Sequence, residues 1–137
     1  MANYLSWTKS NIFRITDKEK FTDIINNLQS DGIIEFHEHD GDKEGEIKVQ
    51  FMVDGTPFGY ETENGDFEFT PVIEDIQTLL PDDEVCVIIE SGHEKLRYID
   101  GSVLVISKET YFSKGLVEYA QEKSREILRN NDYVLDI

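Results

Sequence analysis

Apolar and polar positions along the chain change period several times, and the changes divide it into elements. Asn11 to Ile15 reads as a first strand, preceded by a segment carrying Tyr4 and Trp7, whose rings are expected to fold back onto the core. Thr16-Asp17-Lys18-Glu19 has the form of a capping box. After it Phe21, Ile24, Ile25 and Leu28 fall at i, i+3, i+4 and i+7, which predicts an amphipathic helix ending at Asp31-Gly32.

From residue 33 the period becomes two. Ile34 and Phe36 alternate with Glu35, His37 and His39, and Ile47, Val49, Phe51 and Val53 alternate with polar residues as far as Asp54-Gly55. Phe58 and Tyr60 precede Asn64-Gly65, and Phe67 and Phe69 follow it. Residues 33 to 69 are therefore predicted to form a four-stranded antiparallel meander with one apolar and one acidic face. Thr70-Pro71 opens a second helix that buries Val72, Ile73, Ile76, Leu79 and Leu80, with Pro81 as its stop.

Val85 to Ile89 is apolar at every position, the pattern of a strand covered on both faces. It leads through a short Ser91–Lys95 turn to a second run, Leu96 to Ile106, so that the two make the central hairpin of the fold. A third helix is expected from about Ser113 to Arg129 with Leu116, Val117, Ala120, Ile127 and Leu128 inward. Tyr133, Val134, Leu135 and Ile137 are apolar enough to dock, or to pair with a second copy as a homodimer. The sum is a single α+β domain over residues 1–137. It is an antiparallel sheet with helices on one face, in a ferredoxin-like arrangement with an enlarged β-meander.

Composition narrows the function. No apolar run has signal-peptide or membrane-spanning length, and the one cysteine, Cys86, lies in the most apolar strand, so a cytoplasmic protein without disulfides is expected. Among 137 residues, 29 acidic side chains face 13 basic ones, a formal charge of −16. Residues 1–30 hold 3 acidic and 4 basic side chains, residues 31–90 hold 18 and 2, and residues 91–137 hold 8 and 7. The middle segment carries the excess. Its field repels nucleic acid and anionic membranes and attracts basic surfaces, which excludes direct nucleic-acid binding and membrane association and favours a basic protein partner.

Chemistry-bearing motifs are few. His37 and His39 share a strand face near Glu35 and Asp40, but a zinc site needs three or four ligands and only the distant His93 remains, so a solvated strand face is the better reading. Ser91, in Glu-Ser-Gly-His, lacks the Gly-x-Ser-x-Gly setting of an exposed nucleophile, and no phosphate-binding glycine loop is present. Carboxylate pairs such as Asp82 and Asp83 carry little information in so acidic a chain. No cofactor and no catalytic residue are expected. Glu61 and Glu63, with Asp66 and Glu68 across the Asn64-Gly65 turn, would instead line up as a ladder of charge about 6.6 Å apart on alternate strand positions. Asp40, Asp42, Glu44 and Glu46 extend it, and such a face fits a Lys- and Arg-lined cleft built for nucleic acid.

Two segments carry a resemblance. Thr8-Lys9-Ser10-Asn11-Ile12-Phe13-Arg14-Ile15, and the run from Glu90-Ser91-Gly92-His93 through Glu94-Lys95-Leu96-Arg97 to Tyr98-Ile99-Asp100-Gly101, are similar to the two ends of a family of small acidic proteins of phages and other mobile elements. The resemblance implies a counter-defence role, of the anti-CRISPR or anti-restriction type, in the cytoplasm of a bacterial host. It supplies no catalytic residue. The expected function is thus a non-enzymatic inhibitor that mimics nucleic acid and blocks a DNA- or RNA-binding defence nuclease. The alternative is a small binding module, either an immunity protein for a basic toxin or a binder of a signalling nucleotide at Arg14, Lys95 and Arg97.

Overall fold

The computed structural model of the chain describes residues 5–94 and 98–136. The first strand, β1 (Leu5–Ser10), lies in the middle of a seven-stranded antiparallel sheet. One of its edges pairs with β8 (Val85–Glu94), from Leu5 opposite His93 to Ser10 opposite Ile88. The other meets β5 (Ile47–Val53) at Thr8–Val53 and Lys9–Met52. Beyond Asn11 and Ile12 the chain resumes on β5 as β2 (Phe13–Ile15), and β4 (Ile34–Asp40) closes the far edge of β5. At the opposite end, β9 (Tyr98–Ser107) and β10 (Tyr111–Gly115) extend the sheet from β8.

The break at Ser10-Asn11 is held by side chains acting as backbone. The Asn11 amide donates to the Val85 carbonyl at 3.1 Å and accepts from the Val87 N–H at 2.8 Å, while Ser10 Oγ accepts from the Phe51 N–H at 3.0 Å. An amide side chain carries one donor group and one acceptor, so it can complete a ladder that the backbone has left.

Two helices cover one face: α1 (Lys18–Asn27) joins β2 to the strands that follow, and α2 (Thr70–Gln77) leads to β8. Because every pairing is antiparallel, β1 and β4 run parallel with β5 between them, and β5 and β8 run parallel with β1 between them. The units β1-α1-β4 and β5-α2-β8 are therefore interleaved. Their shared core contains Phe13, Phe21, Ile24, Val49, Val72 and Ile76, all buried, together with Leu79, Leu80, Cys86, Ile88 and Ile106. Phe21 sits edge-on to both Phe13 and Phe36, with ring centroids 6.0 and 5.7 Å apart. Among the described residues no helix is long and apolar enough to cross a membrane.

Several expectations are corrected. The predicted meander is divided. β4 and β5 join the large sheet, whereas β6 (Pro57–Glu61) and β7 (Phe67–Glu68) pair with β3 (Gln29–Ser30) in a separate small sheet. Thr16 does not cap α1: its hydroxyl and N–H both donate to the Leu79 carbonyl, and Asp17 takes the cap by accepting from the Lys20 N–H at 3.1 Å. Ser91 to Glu94 belong to β8 rather than to a turn, and Lys95 to Arg97 lie outside the described residues, as does Tyr4. The third helix, α3 (Leu116–Leu128), starts later than expected because Tyr111–Gly115 is a strand. It also buries nothing: Leu116, Ile127 and Leu128 are exposed.

Nor is the sheet covered on both faces. Cys86 and Ile88 point into the core, but Ile89 and Val85 are exposed on the other side together with Trp7. Leu116 lies against Gly101 on that outer side, so α3 sits on the face opposite α1 and α2. The C-terminal segment is tied to α3 by backbone groups, the Tyr133 carbonyl accepting from Gln121 and Arg125 and the Leu135 N–H donating to Gln121, whereas Val134 is exposed and Ile137 lies outside the described residues.

Phe13 is fully buried where β2, β5 and α1 meet. Replacing it with alanine is expected to cost about 3–5 kcal/mol, read as a lowered urea midpoint with an unchanged slope.

Candidate functional site

The structure places the eight carboxylates singled out by the sequence in two groups. Asp40, Asp42, Glu44 and Glu46 lie at the β4–β5 turn; Glu61, Glu63, Asp66 and Glu68 lie on the β6–β7 hairpin. The first group adjoins Arg14 and the α2–β8 connection, near the start of α1. The second follows β6, which pairs with β3 just beyond the end of α1. The two groups are thus at opposite ends of the helical layer and do not form one ladder.

The β4–β5 turn is partly compensated. Asp42 accepts from Lys48 Nζ at 2.9 Å, and that ion pair holds its carboxyl below the usual range. Glu46 faces Arg14 Nε at 3.5 Å. Arg14 also binds Glu84 Oε2 through Nε at 3.0 Å and through its own backbone N–H at 2.9 Å, and it meets Asp83 Oδ1 through Nη2 at 2.9 Å. Desolvation works to raise the Glu84 carboxyl, but the N–H groups of Arg14 and Val85 and the guanidinium outweigh it, so the net shift is downward. With three carboxylates around it, the Arg14 fork is occupied, and Lys95 and Arg97 lie outside the described residues. Only Asp40 and Glu44 of this group are exposed without an ion-pair partner among the described residues.

The β6–β7 hairpin is the reverse case. Its turn closes through Thr62 N–H to Asp66 O at 2.8 Å and Gly65 N–H to Thr62 O at 3.0 Å, with Gly65 at φ +83° as the Asn-Gly pair requires. Gly59, at φ +111°, is required by close approach: a Cβ there would lie 2.0 Å from the Glu68 carbonyl oxygen. Tyr60 ties the hairpin to α2 by donating to Asp75 at 2.8 Å; burial first, and that bond second, push its phenol up. Register sets Glu61 opposite Phe67 and Glu68 opposite Tyr60, so these two carboxylates leave opposite faces of the ribbon and surround its tip. All four acids are exposed, and among the described residues none has an ion-pair partner. Beside them the exposed rings of Phe58 and Phe67 stack with centroids 5.4 Å apart. The alternation of Phe58 and Phe67 with the acids did not by itself distinguish a core strand from this exposed pair.

The other candidates lie apart from one another. His37 and His39 are exposed on β4, with His37 4.0 Å from Glu35, and among the described residues no three His, Cys, Asp or Glu side chains converge as a metal site. Ser91 is an exposed strand residue opposite Trp7 and Gly101. His93 packs its ring 5.8 Å from that of Trp7. Cys86 is buried, and burial pushes its thiol up, away from the reactive thiolate.

The Arg14 cluster makes a pH-dependent contribution to stability. Because Glu84 and Asp83 have lowered carboxyl pKa values in the fold, their contribution is present above the ordinary carboxylate range and is lost as the pH falls through it. Arg14→Met is therefore expected to be less stable than wild type at neutral pH, with the difference closing as the pH falls below about 4, followed by urea unfolding at several pH values. No family model, no curated protein and no solved structure matches this chain.

Proposed function

We propose that the protein is a non-enzymatic inhibitor whose β6–β7 hairpin occupies a basic, nucleic-acid-binding cleft of a defence nuclease in the cytoplasm of a bacterial host. The observation that carries this reading is the contrast between the two acidic groups. At the β4–β5 turn Asp42 and Glu46 have Lys48 and Arg14 as ion-pair partners, whereas Glu61, Glu63, Asp66 and Glu68 are all exposed around one tip and none has an ion-pair partner among the described residues. Like charges held together in a turn repel, and nothing in the folding of a two-residue strand calls for them. A Lys- and Arg-lined cleft relieves that repulsion, and the stacked Phe58 and Phe67 supply the apolar contact that charge alone does not. The counter-defence context comes from the resemblance of residues 8–15 and 90–101 to the two ends of a family of small acidic phage and mobile-element proteins. A nucleotide-binding module is the weaker reading, since Arg14 is already engaged.

The scaffold behind the hairpin is read as ferredoxin-like. Taking β1, α1, β4, β5, α2 and β8 in chain order gives β-α-β-β-α-β, and the sheet order β8-β1-β5-β4 supports that reading. The β6–β7 ribbon is then an insertion between β5 and α2, and β9, β10 and α3 are an extension.

The test is surface plasmon resonance of the protein against DNA-free restriction and CRISPR nucleases at low and moderate salt. Binding is expected to weaken with salt and to be displaced by duplex DNA. At about 0.5 kcal/mol for each exposed charge pair, neutralising the four hairpin acids as E61Q/E63Q/D66N/E68Q is expected to weaken it about 30-fold. The same treatment of Asp40, Asp42, Glu44 and Glu46 is expected to change it less than about 5-fold. Equal affinity in the hairpin variant, or persistence of binding in saturating DNA, overturns the proposal.

A further inference from the structure

The outer face of the sheet, between β10 and β1, is apolar and only partly covered, by α3. Trp7, Ile89, Ile99, Phe112, Leu116 and Tyr119 are each exposed by 50 to 66%. Among the described residues the outward positions of β10, β9, β8 and β1 include Lys9, Lys114 and His93 but no carboxylate. Six side chains exposed by about 100 Å² each give about 600 Å², and the half-buried Val87, Val103 and Val105 on the same face bring this near the roughly 800 Å² that each partner contributes to a standard interface. None of the 13 residues of α3 is buried, although the helix lies against this face. Such a helix gains little from the sheet alone.

We propose that this face is the interface of a homodimer. A second copy suits it on charge, because the outward strand positions described carry no carboxylate and the α3 acids beside them, Glu118 and Glu122, are paired with Lys114, so this face opposes self-association less than the rest of a chain of net charge −16. It also suits it on shape. A groove of about 330 Å³ lies between α3 and the sheet, lined by Ile89, Ser91, Gly101, Val103, Leu116 and Tyr119. Trp7 projects from the strand next to Ser91, on the same face. A two-fold axis lying in the interface between Trp7 and the groove places the indole of each copy over the groove of the other. An isologous contact repeats every favourable pairing twice. The same operation brings Lys9 toward the acidic first turns of the partner's α3.

Sedimentation equilibrium of the full chain tests this. Wild type is expected at twice the 15.8 kDa chain mass at micromolar concentration. Trp7→Glu and Leu116→Lys, each with an unchanged circular dichroism spectrum, are expected to raise the dimer dissociation constant at least about 100-fold, since each dimer loses two copies of the contact. Ser91→Cys places a thiol near the axis while Cys86 stays buried, so this variant is expected to form a disulfide-linked dimer on mild oxidation. A wild-type monomer over the whole concentration range overturns the proposal. So does a dimer that survives both substitutions and gives no Ser91→Cys link. The hairpin acids are untouched by these variants, so loss of dimerisation is separable from loss of nuclease binding.

Discussion

One strand has to serve two neighbours, and the rest of the molecule depends on how it does so. β1 satisfies β8 along one edge and β5 along the other, but β5 continues past the point where β1 can follow both. The chain resolves this at Ser10-Asn11 by substituting side-chain atoms for backbone ones. Asn11 completes the ladder to Val85 and Val87 while Ser10 completes the one to Phe51. Backbone groups without partners are costly, so a side chain unable to both donate and accept at position 11 would leave the Val85 carbonyl and the Val87 N–H without their partners on this edge of β8, where the Asn11 backbone N–H reaches only the Val87 carbonyl. With the bend in place, Phe13 enters the core beneath α1 and the two β-α-β units can interleave.

The one-sided apolar patterns were legible in the sequence. Phe21, Ile24, Ile25 and Leu28 are buried as their spacing implies, as are Val49, Phe51 and Val53 of β5 and Val72, Ile73 and Ile76 of α2. What misled was apolar content without period. Val85 to Ile89 looks like a strand enclosed on both faces, yet the same composition suits a strand with one face in the core and the other on an exposed apolar surface. The Leu116, Ile127 and Leu128 stripe of α3 invites the same error, because a helical moment gives the direction of an apolar face and not what it meets. Alternation across residues 33 to 69 was equally uninformative about partners: it marks strands but cannot say that β4–β5 and β6–β7 belong to different sheets.

Of the acidic surface, the sequence showed where the charge lies but not which charges are spent. Arg14 is separated from Asp83 by 69 positions and from Glu84 by 70, so no local pattern connects them. The same holds for the polar link of Ser6 Oγ to Thr56 Oγ1 at 2.6 Å and of Thr56 to Glu90 at 2.8 Å, which fastens β1 and β8 to the β5–β6 turn. Long-range pairing reaches two of the four acids at the β4–β5 turn and, among the described residues, none of the four at the β6–β7 tip. Local turn chemistry alone, Asn64-Gly65 with a positive φ, is enough to present it.

The pairing of β1 with β8 also bears on how the chain is made. Leu5 waits for His93, so the strand at the centre of the sheet acquires one of its two partners only when nearly 90 further residues have followed it. At synthesis rates of about 5–20 residues per second, that interval is on the order of 4–20 seconds. During it α1 and the β4–β5 hairpin can form locally, but the interleaved core cannot close. The sheet around β1 is therefore completed only after β8 has been made, and a ribosome stalled before β8 would carry a nascent chain whose β1 has only β5 to hold it.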